Sequence, residues 1–185
     1  MKEKISYEIR AGLNFASLSV DIPQSNITNI YAGQNPDFTG KGIQQGYHIG
    51  LLVNLPFLEN IYLQTGLFLT TKGVFVYYAE KGVKPAYYLE CPFLISYRQD
   101  INRKLKWDLN CGMYYESDIW VQDNGFAYGL ILGAGLYHNR WYYGMRYDIG
   151  LTNKQIGMWY IDNNWNSKSL YDKNNVLSVS VGYKF

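Results

Sequence analysis

VLSVSVGYKF occupies residues 176–185 and alternates without a break. Leu177, Val179, Val181, Tyr183 and Phe185 fall on one face, and Ser178, Ser180, Gly182 and Lys184 on the other. A period of two is the pattern of a strand with one apolar face. Such a strand suits a soluble sandwich, whose apolar face points to a core. It equally suits a barrel in lipid, whose apolar face points out. The polar face separates the two, because a narrow lumen and bulk water place different demands on it.

The 185 residues fit a single domain, 1–185. Tyrosine is abundant, with 19 residues beside 5 Trp and 8 Phe. Lys and Arg number 17 against 15 Asp and Glu, a net charge of +2. That balance, with no basic run, argues against a nucleic-acid partner. No apolar window is long enough for a membrane-spanning helix. The mean hydropathy of -0.24 still leaves a membrane barrel open, since its strands are apolar only at alternate positions. The stretch MKEKISYEIRAGLNF (1–15) lacks the apolar run of a secretory signal, so an exported form is expected to have had its signal removed.

Working back from residue 176, alternation predicts eight strands, at roughly 5–16, 45–56, 61–72, 85–98, 104–116, 126–137, 140–151 and 176–185. Long and short connections take turns between them. PFLEN (56–60), RQDIN (98–102) and the pair His138-Asn139 are short; the other connections are longer. Both residue types in that pair tolerate the positive φ of a tight hairpin. The pattern predicts an all-β, eight-stranded antiparallel up-and-down barrel, with all long loops at one end.

The two faces decide the solvent. The 45 positions of the apolar register carry no charge and a single Thr, Thr65. A charge there would cost about 2–4 kcal/mol at the bilayer midplane. The other register holds ten glycines, including Gly12, Gly50, Gly135 and Gly144, beside Asn14, His48, Asn54, Gln64 and Asn110. It also holds Glu8, Glu90, Asp108, Glu116 and Asp148 against Arg10, Arg98, Lys106, Arg146 and Lys184. Glycine weakens a solvent-facing strand but frees space in a narrow lumen. Five acids and five bases confined there are expected to pair in one network, without a through-pore. The chain is therefore read as a transmembrane barrel of the bacterial outer membrane. The final strand is expected to pair with the first and abolish the sheet edge, with its aromatic residues at the membrane interface.

IRAGLNFASLS (9–19), GYHIGLLVNLPF (46–57), IYLQTGLFLTTKG (61–73), YYLECPFLISY (87–97), GMRYDIGLTN (144–153) and LSVSVGYKF (177–185) together resemble the porin-family outer-membrane β-barrel domain of Bacteroidota. The resemblance spans nearly the whole chain and implies fold and location more than activity. Relatives of this kind are linked to secretion or surface roles. The chain departs from the pattern at Cys91 and in its aromatic last loop.

Chemistry-bearing candidates are few. His48 faces the lumen, and a lipid A acylase or deacylase would need it near a hydroxyl and an acid. Ser17, Ser19 and Glu116 do not visibly converge on it, so no catalytic residue is assigned. No metal-ligand spacing or cofactor motif appears. Thr39-Gly-Lys-Gly42 reads as a turn, and Pro92 as a bulge in the fourth strand. Trp159, Tyr160, Trp165 and Tyr171 in the last loop are the candidates for binding a surface glycan or protein, or for resting in lipopolysaccharide headgroups. Expected partners are outer-membrane lipid and lipopolysaccharide, and the outer-membrane assembly machinery through the last strand. The alternatives to a non-catalytic recognition or anchoring barrel are a narrow channel or secretion accessory, and a lipid A-modifying enzyme. A turn centred on Ile101 would make paired numbers in the fourth and fifth strands sum to 202 and set Cys91 opposite Cys111.

The uncharged face yields the first prediction. The protein should be extracted only with detergent and should change gel mobility between unheated and heated samples. A monodisperse detergent-free form would contradict the membrane assignment.

Overall fold

The computed structural model describes residues 4–19, 41–77, 82–119, 126–152, 154–161, 167–172 and 175–185. Eight strands close into an antiparallel barrel: β1 (Ser6–Ser19), β2 (Lys41–Leu58), β3 (Ile61–Tyr77), β4 (Gly82–Asp100), β5 (Leu105–Asp118), β6 (Phe126–His138), β7 (Trp141–Gly150) and β10 (Asn175–Lys184). Around the barrel, each pairs with its sequence neighbour except where β10 joins β7 to β1. The closing seam runs in continuous register from Glu8↔Lys184 to Ser17↔Asn175. No backbone edge remains to be satisfied in lipid. Strands β8 (Lys154–Ile161) and β9 (Ser167–Asp172) form a separate hairpin in the last long connection, which alternation alone did not reveal.

The barrel is inside-out. Leu51, Phe93 and Met145 are 59%, 53% and 55% exposed, whereas Glu8, Glu90 and Asp148 are wholly buried. Lipid is therefore the solvent of the apolar face. Aromatic pairs ring both ends. Tyr97–Trp107, Trp141–Tyr183 and Tyr183–Phe185 pack at the short-turn end, with centroids 5.1–5.3 Å apart. Tyr47–Tyr87 and Tyr115–Phe126 pack at the long-loop end. Such belts mark the two membrane interfaces.

The short turns differ in detail from the sequence expectation. Asn139–Arg140, not His138-Asn139, joins β6 to β7, and His138 pairs with Trp141. Asn139 takes the left-handed conformation, φ 57°. The β4–β5 turn is Ile101–Lys104, in which Asn102 Oδ1 accepts from the amides of Lys104 and Leu105, both at 2.9 Å. This moves the centre of the turn and corrects the register. Cys91 faces Tyr115, and Cys111 faces Ile95. The two thiols stay on the lipid side and are free, but they stand four residues apart in register, about 13 Å along the strands. Pro92 introduces no bulge. It pairs in register with Tyr114 and leaves only a gap in the ladder to β3, as a residue without an amide hydrogen must. The register shifts lie instead at Pro56/Leu58 and Thr71/Val74.

This register is testable by thiol chemistry. A short bifunctional thiol reagent should fail to link Cys91 with Cys111 in the folded protein. In a Cys91→Ser background, Ile95→Cys should link to Cys111 within one chain. Peptide mapping distinguishes the outcomes, and a Cys91–Cys111 link would overturn the register.

Candidate functional site

Across the mid-barrel stretches of the described residues, alternation sends the even residues of β1, β2, β3, β4, β5, β7 and β10, and the odd residues of β6, into the lumen. The charged side chains there form two groups rather than one network. Nearer the short turns, Arg10 pairs with Glu8, and Arg98 Nε donates to Asp108 Oδ1 at 2.9 Å. The Tyr137 hydroxyl ties the pairs together. It donates to Glu8 at 2.8 Å and accepts from Arg10 and Arg98 at 3.1 and 2.8 Å. Both guanidiniums also lie over rings: Arg10 over Tyr142 at 3.6 Å, and Arg98 over Tyr62 and Tyr137 at 4.4 and 4.5 Å.

Toward the long loops, Lys72 stands among three carboxylates. It pairs with Glu90, with Glu116 at 3.1 Å and with Asp148 at 3.2 Å. Arg146 bridges Glu90 and Asp148 at 2.7 and 2.8 Å. Glu90 and Glu116 are direct cross-strand partners, an arrangement that repels unless a cation sits between them. Lys72 supplies that cation. The sequence pattern does not single it out, because alternation predicts the strand to end at that residue. The signal was present, since Lys72 shares the inward parity of Gln64 and Gly66.

Lys106 and Lys184 stand at the edge of the lumen, with Lys184 the cross-strand partner of Glu8. Both are half-exposed at the short-turn rim, where Lys106 pairs with the exposed Asp100 at 3.2 Å. Between the two groups, Leu52, Phe68, Leu94 and Ile131 fill the lumen with apolar side chains, all buried. Glycine makes this filling possible. A Cβ at Gly135 or Gly144 would collide with the Tyr142 ring, which lies against that stretch of wall.

His48 lies in mid-strand and is buried. Its Nε2 meets Ser180 Oγ at 2.9 Å and its Nδ1 meets Asn14 Oδ1 at 2.7 Å. Asn14 also donates to Thr70 Oγ1 and accepts from Ser178. Ser17 is exposed, and Glu116 belongs to the charged cluster; the side chain of Ser19 lies outside the described residues. The order Ser180–His48–Asn14 is that of an acyl-transfer relay. The adjoining cavity, lined by Arg10, His48, Arg146 and Ser180, measures about 10 Å³. That admits one water, not an ester. Position in the fold makes the relay a hydrogen-bond brace between β1, β2 and β10.

Of the last-loop candidates, Trp159, Tyr160 and Tyr171 lie on β8 and β9, where Trp159 is opposite Ser169, Tyr160 opposite Lys168 and Gln155 opposite Tyr171. Their side chains, Trp165, and Thr39 with Gly40 lie outside the described residues.

No protein-family model and no curated protein sequence matches the chain. Solved structures do. The outer membrane protein OprG of Pseudomonas aeruginosa aligns over 97% of this chain and 95% of its own, with TM-score 0.55 and 14% identity. Neisserial surface protein A aligns over 99% and 100%, with TM-score 0.48 and 14% identity. The N-terminal β-barrel domain of OprF from Pseudomonas aeruginosa aligns over 97% of each chain, with TM-score 0.46 and 11% identity. The likeness to OprG establishes the fold as that of the small eight-stranded outer-membrane barrels. With its lipid-facing exterior, closed seam and segregated turns, the chain is an outer-membrane β-barrel protein.

The charged cluster sets a prediction. Lys72→Met leaves three buried carboxylates with Arg146 alone and should destabilise the barrel by about 3–5 kcal/mol. Lys106→Met, which removes an exposed pair, should cost about 0–1 kcal/mol. Urea unfolding of vesicle-embedded protein measures both, and equal midpoints would contradict the central role of Lys72.

Proposed function

We propose that this protein is a non-catalytic outer-membrane barrel of the porin-family type found in Bacteroidota. In this reading the barrel anchors long outer loops that recognise surface material or brace the envelope. The observation that carries the reading is the closed lumen. Among the described residues, two ion-pair groups and an apolar layer occupy the lumen and the cavity beside His48 measures about 10 Å³, which supports a barrel that passes neither substrate nor solute. Any external ligand must then be met at an end of the barrel. The long connections all leave one end, and the last of them carries the β8–β9 hairpin with Trp159, Tyr160 and Tyr171. Aromatic side chains among Asn and Asp suit a glycan or protein ligand, and also lipopolysaccharide headgroups. Periplasmic assembly machinery would meet the alternating strand 176–185 before the barrel closes.

The Ser180–His48–Asn14 contacts favour one second reading, a lipid A-modifying enzyme. It requires the barrel wall to open beside Ser180. An unchanged lipid A mass profile on expression argues against it, and a shifted profile that is lost in Ser180→Ala would replace the first reading.

Two measurements test the proposal. Purified protein in planar bilayers should give no stable conductance steps. Intact protein should retain a ligand from cell-surface material that a deletion of residues 154–173 does not. Steady single-channel openings, or identical retention by the deletion, would count against loop-based recognition.

A further inference from the structure

The whole chain carries a net charge of only +2, yet its short-turn rim is more basic than that. Among the described residues, the rim bears Lys4, Arg103, Lys104, Lys106, Arg140 and Lys184 against Glu59 and Asp100. Asp100 is engaged by Lys106 at 3.2 Å, and Glu59 lies in the β2–β3 turn, where the Asn60 carbonyl accepts from the Arg98 amide at 2.8 Å. The other bases are not scattered. The Asn139 amide donates to the Lys104 carbonyl and the Lys184 amide to the Arg140 carbonyl, both at 2.8 Å, and the Phe185 amide donates to the Tyr7 carbonyl at 2.9 Å. These bonds join the β4–β5 turn, the β6–β7 turn, the end of β10 and the start of β1 edge to edge. Arg103, Lys104, Arg140, Lys184 and Lys4 therefore follow one another along a single arc. All but the half-exposed Lys184 are exposed.

The depth of this arc is fixed by its neighbours. Trp141, Tyr183 and Phe185 form a continuous aromatic ladder just inside it. Aromatic rings settle at headgroup level. Long basic side chains starting there place their charge among the phosphates while their stems stay against apolar surface. Ile101, Trp141 and Phe185, 54%, 47% and 64% exposed, interleave with the bases. Charge and apolar contact are thus offered together, as a lipid needs and a soluble polyanion does not.

We propose that this arc binds the headgroups of anionic phospholipids in the leaflet around the short-turn end. The phosphate oxygens accept hydrogen bonds from the guanidinium and ammonium groups. The inference is independent of the outer-loop reading and rests only on the barrel lying in a membrane.

Native mass spectrometry of the folded barrel in detergent, offered equal amounts of phosphatidylglycerol and phosphatidylcholine, tests it. The parent protein should retain phosphatidylglycerol preferentially. The R103Q/K104Q/R140Q variant should lose that preference on the order of tenfold, with heat-dependent gel mobility confirming that it remains folded. Should the triple variant not fold, R103Q/K104Q, confined to one exposed turn, gives the same comparison with a smaller loss. Lys154→Gln with Lys168→Gln, on the opposite end, should leave the preference intact. Equal retention of the two lipids, or an unchanged preference in the arc variants, would overturn the proposal. So would an equal loss in the opposite-end variant. Capture of a soluble acidic glycan polymer without any lipid preference would also overturn it and assign the arc to that polymer.

Discussion

One ammonium group holds the loop-side half of the lumen together. Lys72 faces Glu90, Glu116 and Asp148 from three other strands, and it is buried with all three. Each carboxylate alone would be intolerable in that setting, and two of them are direct partners across the β4–β5 ladder. Their presence is tolerated because β3 brings the lysine into the middle and β7 adds Arg146. The cluster thus couples strands that share no backbone hydrogen bonds. A side-chain arrangement of this kind discriminates one strand register from its neighbours, because a two-residue slip of any contributing strand leaves a buried charge unmatched.

The rest of the interior follows from a shortage of space. An eight-stranded barrel has little more volume than its inward side chains occupy. Tyr62, Tyr137 and Tyr142 lie under the two arginines near the short turns, and Gly135 and Gly144 make the room for the Tyr142 ring. Ring faces and carboxylates share the guanidinium charge, which offsets part of the cost of burying the arginines. The exterior needs none of this matching. Its side chains meet fluid hydrocarbon, which accommodates any apolar shape, and its composition is correspondingly loose.

That contrast explains what could be read from the residues alone. The two faces were legible because parity survives any detail of the loops. The register of β4 against β5 was not, because outward residues are odd in both strands and every even sum satisfies the parity. Charge would have chosen correctly: Arg98 with Asp108 and Asp100 with Lys106 both select the observed pairing. The Lys72 centre was hidden by a strand that continues past its expected end to Tyr77. The Ser180–His48–Asn14 brace joins residues far apart in sequence, and only closure of β10 on β1 brings them together. The β8–β9 hairpin escaped because KQIGMWYI does not alternate.

The seam between β1 and β10 has a kinetic consequence. Its first pair, Glu8 with Lys184, joins residues from opposite extremes of the chain. Contacts of such sequence separation form late and slowly. Until they form, two unpaired edges and a half-open charged interior face the surroundings. Insertion into hydrocarbon is therefore proofread by completeness. A chain arrested before its tenth strand carries the same greasy exterior but lacks the partner for β1, so the backbone groups along that edge stay unpaired. The topology itself acts as the checkpoint that separates finished molecules from fragments.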